Sequence, residues 1–377
     1  MHKKIIVKYF VQVLSVFFFL SCQNQTSKDV ENAKDEISYA KGFALYNYKD
    51  YTKLVIKSPY PEAKEQFDYY LVKKGQHPKI NKGIIINIPI NKIVATSTTH
   101  IPMIDVLNEA HTLVGFPNLK YISTNNVRKR IDENKVKELG NATLLNTEVL
   151  LNLKPDVVIG FSMQSQNKMY ETIKKSGIPV ILNGDWLEST PLGRAEWLKL
   201  FGALYAKEKI ADSIFTSIEK DYRSAQKIAK QAKTSPTILS GILFKSIWNL
   251  PAGDSFEAQF LKQANTQYFW QNTLGTGSFS LSFESVLNKA QNADFWFAPG
   301  IYTSFNQLES ANLHYAKFKA FKTRQIYTFA LTKGATGGYI YYEESPLKPN
   351  IVLKDIIKIT HPELLPNYTP YFLKKLN

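Results

Sequence analysis

The stretch from Lys207 to Ala232 most constrains what this chain can fold into. Ala211, Ile214, Phe215, Ile218, Tyr222, Ala225 and Ala229 recur there at spacings of three and four residues, the period of an amphipathic helix. At 1.5 Å per residue such a helix is about 40 Å long, enough to cross a small domain. Short apolar strands alternate with helical patterns on both sides of it. Upstream, KIVATS, LVGF, PDVVIGF and IPVILN read as strands, and IPMIDVLNEA and KMYETIKKSG as helices. A further helix begins near Pro191, with Thr190 as its N-cap, and Leu198, Phe201, Leu204 and Tyr205 share one of its faces. Its continuity with the long helix is left open by the pattern. Downstream of Ser235-Pro236, TILSGILF, DFWFAP and QIYTFAL read as strands and FEAQFLKQA and FESVLNKA as helices. IVLKDIIKITHPELL forms a last helix that ends at Pro362. Strand and helix in alternation predict parallel, helix-covered sheets.

Before Lys92 the texture differs. ISYAKGFALYNY, YTKLVIKSPYP, FDYYLVKKG and KGIIINIPI are aromatic or β-branched runs bounded by Gly, Pro, Asn or Lys, and they predict hairpins. The expected fold is therefore α/β, with two parallel-sheet lobes joined by one long interdomain helix and an extra N-terminal β-rich segment. The expected boundaries are 36–206 for the N-terminal lobe with its extension, 207–232 for the linking helix, 233–345 for the C-terminal lobe and 346–377 for the C-terminal helix and tail.

The first 21 residues predict a signal peptide. Lys3, Lys4 and Lys8 precede the apolar run VQVLSVFFFLSC, which is too short for a membrane span and stops at polar Gln23-Asn24-Gln25. Cys22 is the sole cysteine, so no disulfide can form within the chain. Leucine and a small residue before Cys22 resemble a bacterial lipobox. That resemblance implies cleavage before Cys22 and lipidation of its thiol, the alternative being a signal peptide with a chance cysteine. QNQTSKDVENAKDE lacks aromatics and either period, and it reads as a flexible tether, with expected bounds of 22–35. The expected location is an exported, membrane-anchored lipoprotein facing the periplasm or cell exterior.

Charge excludes one class of partner. Loss of the signal leaves 44 basic residues against 32 acidic ones, a net charge of +12, and only five of the basic residues are arginine. A dispersed, lysine-dominated excess reads as a solvated surface, so no nucleic-acid partner is expected. Enzymatic motifs are missing: there is no GxSxG, no GxGxxG after a strand, no Walker loop and no HExxH. His77, His100, His111, His314 and His361 show no ligand spacing, so neither a metal site nor a cofactor is expected. The rival from another class is an exported hydrolase using Asp185, Glu188 and His100.

Six motifs carry a family resemblance. KIVATSTTHIPMIDVL, LLNLKPDVVIGF, ESTPLGRAEWLKLFGALYAKEKIA, WNLPAGDSFEAQFLKQANTQYFW, SLSFESVLNKAQNADFWF and KPNIVLKDIIKITHPELLP follow one another from Lys92 to Pro366. In order and spacing the chain resembles the solute-binding proteins of ABC importers for ferric siderophores, haem and cobalamin, in which one long helix joins two lobes. The resemblance implies a monomer that captures a metal chelate between its lobes and delivers it to a permease and its ATPase. It also matches Glu284, in SFESVL, to a second-lobe surface glutamate that pairs with permease arginines. The equivalent first-lobe position is near Asn167, which leaves Glu171 or Glu188 to take that role.

Ligands of open parallel sheets bind beyond the carboxyl ends of strands. The expected ligand-binding residues are therefore Ser97, Thr98, Thr99, His100, Phe161 and Trp186 in the first lobe, and Lys245, Trp248, Tyr302 and Tyr342 in the second. Aromatics with a few polar donors suit a bulky ligand held by stacking. Haem would take His100, Tyr302 or Tyr342 as an axial ligand, cobalamin would use the aromatic walls, and an anionic siderophore would rely on lysines such as Lys245. Structural readings stand beside these: Trp248 capping the sheet, His100 starting a helix, and Arg194 and Glu196 tying their helix to the preceding loop.

Overall fold

The computed structural model describes residues 33–377 apart from Thr143 and Gln166. The signal, the lipobox at Cys22 and the tether to residue 32 lie outside the described residues. Four strands open the chain: β1 (Phe43–Asn47), β2 (Tyr51–Ile56), β3 (Phe67–Lys73) and β4 (Ile84–Ile88). β1, β2 and β3 form the expected antiparallel hairpins, but β4 runs parallel to β3. The ten residues 74–83 leave room for the chain to cross back before pairing.

The first lobe then follows the alternation. Its elements are β5 (Ile93–Ala95), α1 (His100–Val106), β6 (Leu113–Phe116), α2 (Asn125–Asp132), β7 (Lys137–Glu138), the short hairpin β8 (Gly140–Asn141) and β9 (Leu144–Leu145), α3 (Thr147–Leu153), β10 (Val157–Gly160), α4 (Lys168–Lys175) and β11 (Val180–Leu182). Five strands make a parallel sheet in the order β11-β10-β5-β6-β7. Val157, Val158 and Ile159 are all fully buried, as a strand covered on both faces requires. The N-terminal sheet shares this core, since Phe43, Leu54, Ile56, Leu71 and Ile88 pack in one cluster with Ile93, Ala95 and Ile159.

Three helices lead out of the lobe: α5 (Pro191–Glu196), α6 (Leu198–Leu204) and α7 (Glu208–Ala229). Thr190 caps α5 as expected, its hydroxyl accepting from the Gly193 amide at 3.0 Å, with Pro191 in the first turn. The chain breaks before α7 at Ala206, whose φ of 53° is left-handed. α7 is the linking helix; its 22 residues span about 33 Å. Its apolar face buries Ala211, Phe215, Tyr222, Ala225 and Ala229.

The second lobe repeats the plan. It comprises β12 (Thr237–Ser240), β13 (Ile242–Phe244), β14 (Ile247–Pro251), α8 (Phe256–Gln263), β15 (Gln267–Tyr268), β16 (Ser278–Ser282), α9 (Phe283–Ala290), β17 (Phe295–Phe297), α10 (Phe305–Ala311), α11 (Lys319–Lys322), β18 (Ile326–Thr328), α12 (Ile340–Glu344), α13 (Pro349–Thr360) and β19 (Lys374–Lys375). Its main sheet runs β15-β12-β17-β18-β19, parallel except for β19. TILSGILF is two strands rather than one: Gly241, at φ 79°, turns the chain so that β13 leaves the main sheet. It joins β14 and β16 in a separate antiparallel sheet. α13 packs along α7, and Asp35–Asn377 form one compact unit. Among the described residues no helix is long and apolar enough to cross a membrane.

Candidate functional site

The carboxyl ends of the two main sheets carry the polar residues that no core needs. In the first lobe β5 ends at Ala95, and Ser97, Thr98 and Thr99 follow half-buried, with the Ser97 and Thr99 hydroxyls 3.0 Å apart. His100 starts α1 but turns inward: it is fully buried, its ring 5.8 Å from that of Phe201. Among the described residues neither ring nitrogen has a partner. Burial pushes its pKa down to about 4, against the opposing charge of Asp185, so the imidazole is neutral. Phe161, after β10, is half-buried, and its carbonyl accepts from the Tyr170 hydroxyl at 3.2 Å.

The turn after β11 is polar and enclosed. Asn183 accepts from the Asp185 amide at 2.8 Å, while its own amide nitrogen, Asp185 Oδ2 and the Trp186 indole nitrogen are buried without partners among the described residues. Gly184 sits where no side chain fits, since a Cβ would lie 2.2 Å from the Ser58 carbonyl oxygen of the N-terminal extension. The extension thus covers this edge of the first lobe.

Arg194 connects the lobes. From α5 it donates through Nε to the Asp185 carbonyl (3.2 Å) and through a terminal nitrogen to the Trp186 carbonyl (3.1 Å). Its guanidinium also stacks 3.7 Å from the ring centre of Phe256, at the start of α8 in the second lobe. Beside Phe256 is Glu257, which has no hydrogen-bond or ion-pair partner among the described residues. Burial holds its carboxyl above the ordinary range, opposed by the charge of Arg194. Glu257 faces a cavity of about 80 Å³ at the carboxyl end of the second sheet, with Ser240 of β12, Phe297 of β17, Phe329 just beyond β18, and Tyr341 and Tyr342 of α12. The Phe329 ring lies 5.1 Å from that of Tyr341 and 4.9 Å from that of Tyr342.

The expected site residues divide on this geometry. Tyr342 lines the cavity; it belongs to a helix, not to an extended segment. Trp186 stands at the Arg194 junction through its carbonyl. Tyr302 lies apart, half-buried in a surface groove with Ile301, Gln307, Lys333 and Tyr339. Lys245 is exposed at the β13–β14 turn, its ammonium 5.7 Å from the Phe244 ring. Trp248 is corrected: it is fully buried, donates to the Ser240 carbonyl at 3.0 Å, and is packed by Trp296, Tyr315, Phe318 and Phe283. Glu188 is also corrected as a docking contact. It is buried, and its oxygens accept from the Lys41 and Gly42 amides (3.0 and 2.8 Å) and the Trp197 indole (3.1 Å). Glu284 and Glu171 are exposed in the first turns of α9 and α4, and Glu171 pairs with Lys174 at 3.0 Å.

Arg194 ties its helix to the preceding loop, as its spacing suggested, and reaches across the lobes as well. Glu257 was missed. The available signal was one carboxylate at the start of an apolar helix, immediately after a strand and a tight turn. Among the described residues no three His, Cys, Asp or Glu side chains group as a metal site.

Two lobes of parallel sheet, joined by a single long helix and presenting their carboxyl ends to a shared junction, define a solute-binding protein. The family model for periplasmic binding proteins matches residues 93–330, and the chain belongs to that family. It is similar to two uncharacterized lipoproteins of Methanocaldococcus jannaschii. One is 24% identical, with 92% of this chain and 87% of that protein covered; the other is 27% identical, with 87% and 83% covered. Among solved structures, a possible iron-binding periplasmic solute-binding protein from Staphylococcus epidermidis aligns at TM-score 0.56 and 15% identity, covering 72% of this chain and 99% of that one. A periplasmic haem-binding protein from Vibrio cholerae aligns at TM-score 0.55 and 16% identity, covering 70% and 99%. At these identities the likeness is one of fold.

Proposed function

We propose that this chain is the capturing component of an ABC importer, exported and anchored through lipid on Cys22. On this reading it holds a ferric siderophore or related iron complex between its lobes and delivers it to a membrane permease driven by its ATPase. The observation that carries the reading is the convergence of both sheets' carboxyl ends on the Arg194 junction, with α7 as the single link. Haem or cobalamin is the second reading, favoured by the Phe329, Tyr341 and Tyr342 rings at the cavity. His100 is enclosed, so a haem axial ligand would fall to Tyr302 or Tyr342. The hydrolase reading loses its geometry, because Glu188 is bound by backbone amides and the buried His100 ring nitrogens meet no carboxylate.

Thermal-shift titration of the mature domain with haem, cyanocobalamin and a set of ferric siderophores tests the ligand class. Saturable stabilisation by one of them supports it; turnover of an ester, with no shift from any of them, would reverse it. Docking is assigned to Glu284 and, in the first lobe, Glu171. Interface charges steer association more than they add affinity. Glu284→Gln is thus expected to lower stimulation of the reconstituted transporter's ATPase severalfold while ligand affinity and melting temperature stay unchanged. Full stimulation by this variant would return Glu284 to the role of a helix-end charge.

A further inference from the structure

The outer face of the N-terminal sheet lacks the polar character that a solvated face normally has. Hairpin strands with one side on a core usually alternate apolar and polar residues. Here Leu54, Leu71 and Ile86 belong to the first-lobe core, while their neighbours on the opposite face form one row across all four strands: Tyr46 opposite Lys53, Lys53 opposite Tyr70, and Tyr70 opposite Ile85. The one charge in that row is neutralised, since the Lys53 ammonium lies 2.8 Å from the Asp68 carboxylate. Tyr51, two residues before Lys53 and on the same face, adds a ring 5.5 Å from that of Tyr70 and 4.7 Å from that of Tyr48. The tyrosines are half-buried, and Ile85 is 49% exposed.

Lysines border this strip. The segments 47–51 and 72–83 carry Lys49, Lys73, Lys74, Lys79 and Lys82 against a single carboxylate, Asp50. Lys53 and Lys57 are held by Asp68 and Asp35, whereas these five are exposed and enter no ion pair among the described residues. Tyr51 pairs with Val72, which places Lys73 and Lys74 beside it, and Gly83 lies so close to the Tyr70 ring that a Cβ there would be 2.3 Å from it. The chain enters the folded unit at the same strip: Asp35 bridges to Tyr46, and its carboxylate lies 3.4 Å from the Lys57 ammonium. Cys22 and Asp35 are thirteen residues apart, a reach of at most about 45 Å. Tyrosine, with an apolar ring and a wet hydroxyl, and lysine, which pairs with lipid phosphate, are side chains that suit a bilayer interface.

We infer that the outer face of the N-terminal sheet docks on the anionic surface of the bilayer that holds the anchor. The anchor reading above accounts for how the face is brought there; its attraction to lipid is a property of the face alone. The rings and Ile85 meet the headgroup layer, and the bordering lysines meet its phosphates. Lipid on Cys22 thereby gains a second contact that fixes which side of the folded unit lies against the membrane.

The mature chain carrying Cys22→Ser has no lipid and isolates this face. In co-sedimentation it is expected to bind vesicles of equimolar phosphatidylcholine and phosphatidylglycerol about tenfold more tightly than vesicles of phosphatidylcholine, and to lose that preference at high salt. Lys73→Gln, Lys74→Gln, Lys79→Gln and Lys82→Gln combined should weaken binding to the anionic vesicles about tenfold, and Tyr51→Ser should weaken it severalfold. Lys227→Gln, Lys230→Gln, Lys233→Gln and Lys317→Gln combined remove the same charge from exposed positions elsewhere and should leave binding within about twofold of the unmutated chain. Equal loss from the two lysine sets would mean that net charge and not this face attracts lipid, which would overturn the assignment. Absence of binding to the anionic vesicles would overturn it too, while palmitate incorporation at Cys22 in cells would keep the anchor. Vesicle binding as expected, with no palmitate at Cys22, would keep the face and remove the anchor.

Discussion

An imidazole that is fully buried with both nitrogens unpartnered is stable only in its neutral form, and this gives His100 a readable signature in stability. Its pKa is about 4 in the folded chain, against 6.5 for the free side chain. The unfolded chain therefore binds more protons between those values, and folding stability falls as pH drops through that window. The contribution is fully present above pH 6.5, and about 3 kcal/mol of it is gone by pH 4. Glu188, Glu343 and Asp355 have carboxyls raised by burial, and they act in the opposite direction as acid is approached. The measurement is accordingly a difference: urea denaturation of wild type and His100→Phe between pH 7 and 4, over which wild type should lose about 3 kcal/mol of stability relative to the variant. A gap independent of pH would mean that His100 titrates normally. Trp248 makes a second prediction at this scale. Because it fills the second-lobe core, Trp248→Ala is expected to cost about 3–5 kcal/mol and to lower the melting temperature sharply, where a cleft residue would mainly have weakened binding. An unchanged melting temperature would return it to the cleft.

At the scale of elements, two buried carboxylates hold the N-terminal extension to the first lobe. Glu196, fully buried on α5, accepts from the Ser38, Tyr39 and Ala40 amides at 2.9, 2.6 and 2.8 Å, and Glu188 takes the next two amides. Among the described residues these five consecutive N–H groups have no other acceptor, so Glu196→Ala leaves three of them unpaired. Hydrogen exchange in the segment 38–46 is expected to accelerate at least tenfold in Glu196→Ala while β10 and β12 keep their protection. Uniform acceleration would indicate global destabilisation instead. The alternation that predicted both lobes was legible because buried parallel strands appear as unbroken apolar runs, as in VVIG, and α7 because its apolar face repeats for six turns. Elements that do not bury a full face were not legible. SFSLS alternates half-buried and exposed positions on the small antiparallel sheet, a run too polar to stand out as a strand. GYIYYEES has the aromatic content of a strand but folds as α12, with Glu343 buried on the other lobe. Trp248 and Glu257 were decided by long-range packing: the turn at Gly241 folds one into the core, and α8 brings the other to a cavity whose walls come from seven separate segments.

The whole molecule is braced on more than one side, and this governs how far the lobes can move. α7 resists bending because a bend breaks its hydrogen-bond ladder. A second brace comes from the second lobe: Glu343 of α12 accepts from the Ser123 and Thr124 amides (2.5 and 2.9 Å) and from the Thr124 hydroxyl (2.5 Å), capping the start of α2. The Thr336 hydroxyl donates to the Lys120 carbonyl at 2.7 Å, and a Cβ at Gly338 would lie 2.4 Å from the Tyr121 carbonyl oxygen, so the two backbones meet closely. Arg194 on Phe256 is a third contact between the lobes. Breaking one brace should therefore widen the motion without unfolding either lobe. Cys22 is the sole cysteine, so spin labels at Glu171→Cys and Glu284→Cys in a chain carrying Cys22→Ser report the span between the two proposed docking points. Double electron–electron resonance is expected to give one narrow distance, little changed by a bound chelate. Adding Glu343→Ala should broaden the distribution toward longer distances, whereas Glu343→Gln, which keeps the acceptor oxygen, should broaden it less. A broad distribution in the wild type, or a large shift on ligand binding, would show that the lobes hinge despite α7 and that the latch at Glu343 opens in normal turnover.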